Sequence, residues 1–249
     1  MGTRGPALAS TQTGDPAERA ALALVRAQVA VEVRQWRGTG DPAAAVGTAA
    51  ALIAASADEE SAFDLELLRL FGSYWAELMP GDGTAPRFGP DGRDAGVLAE
   101  LRERAGRLAA TAPDRRRAAR AAFYAGLIAD NLCGEPGSGE ALFNQALSAC
   151  RPRADDDIAS EALRHLGGSA QAAGDLHLAR QRWERSATLA QQVGWLPLAL
   201  AQQTLLAELA ADQGDTAGAS MLAREIRRWA AALGLRRLAA QAASVGSNQ

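Results

Sequence analysis

The 249-residue chain has a formal net charge of −3 and no lysine, so all 26 of its basic residues are arginine. An acidic balance with no broad basic stretch excludes a surface built for nucleic acid or anionic membrane, since both need a positive face. Alanine is the commonest residue, so the 48% hydrophobic content is weighted to small side chains and to closely approached helices. This alanine, glycine and arginine bias points to a GC-rich bacterial genome, actinobacterial by its composition.

The opening "MGTRGPALASTQTG" lacks the continuous apolar run of a signal peptide, and residues 1–14 read as a disordered tail. Asp15, Pro16 and Glu18 then form a helix-start signal, and a helix is predicted to about Arg37. Asp41-Pro42 repeats that signal before a second helix reaching about Ala57. A third, the most apolar, is predicted over Glu59–Met79. Pro80 to Asp94 holds three prolines and four glycines and cannot be helical, which makes residues 80–95 an inserted irregular loop. Helices follow near 96–111, 114–133, 139–150, 157–173, 175–193, 197–213 and 215–233, and "LRRLAAQAA" closes the chain. No strand-like alternation occurs, so an all-α fold and one helical-repeat domain over residues 15–245 are expected. No apolar, uncharged run is long enough to span a bilayer. Cys133 and Cys150 are too few for a disulfide framework, and packed free thiols in a cytoplasmic protein are expected.

Glycine followed by an acid punctuates these helices. The pairs are Gly40-Asp41, Gly81-Asp82, Gly134-Glu135, Gly174-Asp175 and Gly214-Asp215, with spacings of 41, 53, 40 and 40 residues. Glycine adopts the left-handed conformation that ends a helix, and aspartate caps the next. Glutamate is the poorer cap, and the 53-residue spacing is one repeat plus the inserted loop. Phe143 and Trp183 are 40 apart, as are Gly194 and Gly234, while Gly139, Ala179 and Ala219 share an offset and are all small. A period of about 40 residues is the mark of a helical solenoid, here of about five antiparallel hairpins.

Leu163, Leu166-Gly167, Ala170, Ala179 and Trp183 resemble the tetratricopeptide repeat in residue type and spacing. Small Gly167 and Ala179 let two helices approach, and Trp183 fills the space beside them. The unit is longer than the 34 residues of that family, Gln191 stands where its closing proline would be, and Ala223 replaces Trp183 in the next copy. The resemblance implies an α-solenoid whose first helices line a concave groove for a protein or peptide partner. In this register the groove residues are Arg34, Arg37, Phe71, Trp75, Tyr124, Asn131, Glu161, Arg164, Gln171, Thr204, Glu208 and Asp212. Without lysine, and with only Asn131 among them, the family's clamp for a terminal carboxylate is not expected.

Motifs for chemistry are absent from the sequence. His165 and His177 fit no metal-ligand spacing, and neither a phosphate loop nor a G-x-S-x-G elbow occurs. Arg115-Arg116-Arg117 with Arg120 reads as a solvated helix face, and Asp155-Asp156-Asp157 as a helix cap. No cofactor is expected, and a homodimer contact through the apolar third helix is open. A non-enzymatic interaction module is therefore the first reading. The alternative is a small-molecule sensor or enzyme in which Tyr124, Asp130, Asn131, Arg164, His165 and Gln202 converge.

Overall fold

A computed structural model describes residues 15–79 and 85–245. Among them are eleven α-helices and no strand. They are α1 (Pro16–Arg37), α2 (Ala43–Ser56), α3 (Glu59–Leu78), α4 (Ala95–Thr111), α5 (Arg115–Leu127), α6 (Pro136–Ala149), α7 (Asp156–Ala172), α8 (Leu176–Gln192), α9 (Leu196–Asp212), α10 (Thr216–Ala232) and α11 (Arg236–Ser244). Each packs on its sequence neighbours as an antiparallel, repeat-like array. The boundaries fall within a few residues of the sequence expectation. The 1–14 tail and the Gly81-Asp82 turn lie outside the described residues.

The glycine punctuation acts as expected. Gly174, Gly194, Gly214 and Gly234 are all left-handed, with φ of 82°, 74°, 88° and 73°. In each case the following residue donates its N–H back across the turn, as Asp175 does to the Ala170 carbonyl at 2.9 Å. The spacing of these turns is 20 residues, and α7 to α10 are each 17 residues long. The 40-residue period is thus two copies of one structural step. Asp175 and Asp215 cap α8 and α10 by accepting from Leu178 and Gly218, both at 2.9 Å. Glu135 makes no capping bond to α6, and its carboxylate pairs instead with Arg102 of α4.

Close approach within hairpins depends on glycine facing an aromatic ring. A Cβ on Gly167 would sit 2.3 Å from Trp183 Nε1, and one on Gly126 would sit 2.6 Å from Phe143. Trp183 is 1% exposed and donates to the Arg164 carbonyl at 2.9 Å. Behind this contact the hydroxyls of Ser160 and Ser186 reciprocally donate to each other's backbone carbonyls, at 2.8 and 2.6 Å.

The N-terminal half is less regular. α5 runs into a π-helical turn, Ile128–Leu132, of the kind that inserts one residue into a helix. The described part of the long loop folds around Arg93, whose side chain is fully buried. That guanidinium donates to the carbonyls of Gly89 and Glu77, both at 2.9 Å, and to that of Arg87. The Asn131 carbonyl at the π turn accepts from Gly89 N–H at 2.8 Å. The described part of the loop is thus tied to α3 and to the π turn.

The array also closes on itself. Trp36, near the end of α1, packs on Ala190, Leu198 and Ala199 of α8 and α9. Arg237 of α11 donates to the Gln35 carbonyl at 3.3 Å and lies over the Trp75 ring of α3, 5.1 Å from its centroid. The first and last helices therefore meet across the inner face. No described helix is long and apolar enough to cross a membrane.

Candidate functional site

Closure leaves a cavity of about 500 Å³ on the inner face. Its walls come from α1, α3, α5, α7 and the turn between α8 and α9. Its lining is apolar and aromatic at Val31, Leu67, Leu68, Phe71, Tyr124 and Ile158. Phe71 stacks on Tyr124 with ring centroids 5.2 Å apart. The lining is charged at Glu32, Asp64, Arg116, Arg117, Arg120, Asp157 and Glu161.

These charges form two ion-pair groups, one around Arg117 and one in which Arg116 and Arg120 share Asp157. Arg117 grips Asp64 with two bonds of 2.8 Å and also reaches Asp114 and, at 3.1 Å, Glu60. Arg116 holds Asp157 through bonds of 2.9 and 2.7 Å and Asp155 at 3.0 Å. Arg120 donates to the same Asp157 at 2.7 Å and to Glu161, and lies 5.7 Å from the Tyr124 centroid. Bidentate arginine pairs fix side-chain direction as well as charge, so the wall is held rigid.

The titration behaviour follows from this layout. Burial alone would depress Arg120, but Glu161, Tyr124 and Asp157 push its pKa up and keep it charged. Burial would lift Asp157, but Arg116 and Arg120 outweigh it and hold the carboxyl below its ordinary range. Burial raises Glu161, with Arg120 opposing. It also lifts the Tyr124 phenol to about 12.

The sequence-derived groove residues are only partly brought together. Phe71, Tyr124 and Glu161 line the cavity. Trp75 stacks behind Phe71, at 6.1 Å, beneath Arg237. Arg34 and Arg37 are exposed and lie outside the cavity lining, because α1 presents Gln28, Val31, Glu32 and Gln35 to it instead. Asn131 is occupied as a donor to the Tyr74 hydroxyl at 2.7 Å. Arg164 lies deeper, its Nη1 3.4 Å from His165 Nε2. Glu208 accepts from Gln241 of α11 at 3.0 Å, and Gln171 and Asp212 sit at the C-terminal ends of α7 and α9. Thr204 is fully buried and donates to the Leu200 carbonyl at 3.0 Å, which makes it a packing residue.

The alternative set does not converge on the cavity either. His165 stacks on Phe143 at 4.7 Å, and burial with the Arg164 charge pulls its pKa well below the histidine range. Asp130, raised by burial, backs onto Gly139, where an added Cβ would lie 2.6 Å from the Asp130 Cβ. Gln202 is fully buried with both amide atoms unpartnered. Both thiols are free, and burial lifts Cys150 to about 11 and raises Cys133. Among the described residues no group of three or more His, Cys, Asp or Glu is placed to hold a metal ion.

Sequence reasoning passed over the charged wall, reading its arginines as solvated and its aspartates as a cap. The signal was present in the register. Arg116 and Arg120 are one helical turn apart on α5, Asp157 and Glu161 are one turn apart on α7, and each pair is offset by 41 residues. Glu32 and Trp195 carry no such signal, because α1 and the α8–α9 turn reach the cavity only through closure. No protein-family model matches the sequence, and no curated protein does.

Proposed function

We propose that the chain is a tetratricopeptide-like recognition module without chemistry of its own, and that its ligand enters the inner-face cavity. The observation that carries this reading is the cavity itself, a recess lined by aromatic side chains and by locked ion pairs. Rigid, pre-paired charges suit selective binding, because they cost little reorganisation when a ligand arrives. His165 is packed on Phe143 and so does not serve either thiol as a general base. α1 and the Arg237 contacts interrupt the inner face, so a protein partner would insert a short segment. A second reading, a small-molecule sensor, is favoured by the cavity volume, which lies within the roughly 300–1,000 Å³ range of small-ligand sites.

Gln28 lines the cavity and is exposed, so it can be replaced without disturbing the core. A photo-crosslinking residue at position 28, activated in cells, is expected to label the cavity's occupant. A labelled protein supports the module reading, and a labelled metabolite supports the sensor. Absence of any label that is also lost in a Phe71→Ala background would remove both.

A further inference from the structure

The charge pattern of the cavity selects a ligand class. Its lining has three cations, Arg116, Arg117 and Arg120, against four carboxylates, Glu32, Asp64, Asp157 and Glu161. Each arginine is already engaged by two or more carboxylates. Glu32 is the carboxylate left over. It takes part in no ion pair and no side-chain hydrogen bond, yet its charge is felt by Tyr124 and Glu161 across the cavity. An anion entering here would find arginines already engaged and, in Glu32, a carboxylate on which Arg120 acts only at a distance.

One further feature narrows the choice. Phe71 lies between Tyr124 and Trp75, and Arg120 lies over Tyr124, so this pair gives the cavity apolar area for the stem of a ligand.

We propose that the cavity binds an organic cation on an aliphatic stem, with Glu32 as its counter-charge and the Phe71–Tyr124 wall as the seat of the stem. This chemistry is shared by an arginine or lysine side chain of a peptide and by a free alkylguanidine or alkylamine. The inference rests on the cavity being the recognition site.

The test is calorimetric titration of the full chain with N-acetylarginine N-methylamide, its neutral citrulline isostere and agmatine. The arginine derivative is expected to bind at least about tenfold more tightly than the citrulline derivative, as one charge-assisted contact supplies. Glu32→Gln, at a position with no partner to lose, should erase most of that ratio, and Gln28→Trp should fill the cavity and abolish binding. Tighter binding of the arginine amide assigns a peptide source, and tighter binding of agmatine assigns a free cation. Equal binding of arginine and citrulline derivatives, or an unchanged ratio in Glu32→Gln, overturns the proposal. If neither cation binds while the position-28 probe still labels an occupant, the ligand class falls and the recognition module stands.

Discussion

The two halves of the molecule solve the same packing problem differently. From α7 to α11 one step repeats, a 17-residue helix followed by a left-handed glycine turn. Its core is alanine and leucine around a few large residues such as Trp183 and Ile226. From α1 to α6 helix length varies, a π turn and a long loop interrupt the pattern, and the cores merge into one large cluster. Cross-helix ion pairs are concentrated at α3, α5 and the start of α7. The regular half is a scaffold specified by local rules. The cavity lies where the two halves meet, with walls from α1, α3 and α5 of the irregular half and from α7 and the α8–α9 turn of the regular one.

This contrast can be tested by breaking each half in turn. The largest effect is expected from Trp183→Ala, which empties the space facing Gly167 and removes the indole's bond to the Arg164 carbonyl. Loss of a buried tryptophan costs about 3–5 kcal/mol, read as a fall in the denaturant midpoint. An unfolding midpoint that barely moves would show that the α7–α8 contact does not hold the scaffold. Arg120→Ala should cost about 3 kcal/mol, somewhat less than Trp183→Ala, because it strands Glu161 and leaves Asp157 to Arg116 alone. The double variant Arg120→Met/Glu161→Leu should recover much of that loss. If it is as unstable as the single variant, uncompensated charge is not the cause.

A pH effect should separate the histidine from the carboxylates. The folded pKa of His165 is depressed below its unfolded value, so protonation favours the unfolded chain. Its contribution is complete above about pH 6.5 and is lost as pH falls below that, by at most about 1.4 kcal/mol per unit. His165→Phe should flatten this slope in urea titrations between pH 7 and 5. Asp155 and Asp157 are depressed too, so their contribution is present above the unfolded carboxyl pKa and is lost at more acid pH. A slope that persists in His165→Phe would assign it elsewhere. The smallest effect belongs to the punctuation of the regular half. Asp215→Ala removes one capping bond and should lower stability by about 1 kcal/mol, with no change in the cavity.

Much of this architecture was legible before any coordinates. Glycine turns, aspartate caps and proline starts act through hydrogen bonds reaching only a few residues along the chain, so helix limits were readable to within a turn. The Gly167–Trp183 contact was legible for the same reason, since one turn fixes how its two helices face. The site was only partly legible. Phe71, Tyr124 and Glu161, expected on the inner face from the repeat's register, line the cavity. Arg116, Arg117 and Arg120 were misread as solvated, since a charged run on a helix looks the same whether it faces water or carboxylates of the next hairpin. Thr204 and Asp212 were misplaced because small errors in helix rotation turn a residue from the inner face into the core or to a helix end.

The sequence by itself determined an all-helical array and where each helix starts and stops, because those features are set by short-range backbone chemistry. Only the tertiary structure decided that α1 and α11 meet, that Glu32 and Trp195 share one cavity, and that its arginines are already paired. Those outcomes depend on crossing angles summed over the whole array. No local segment carries that sum.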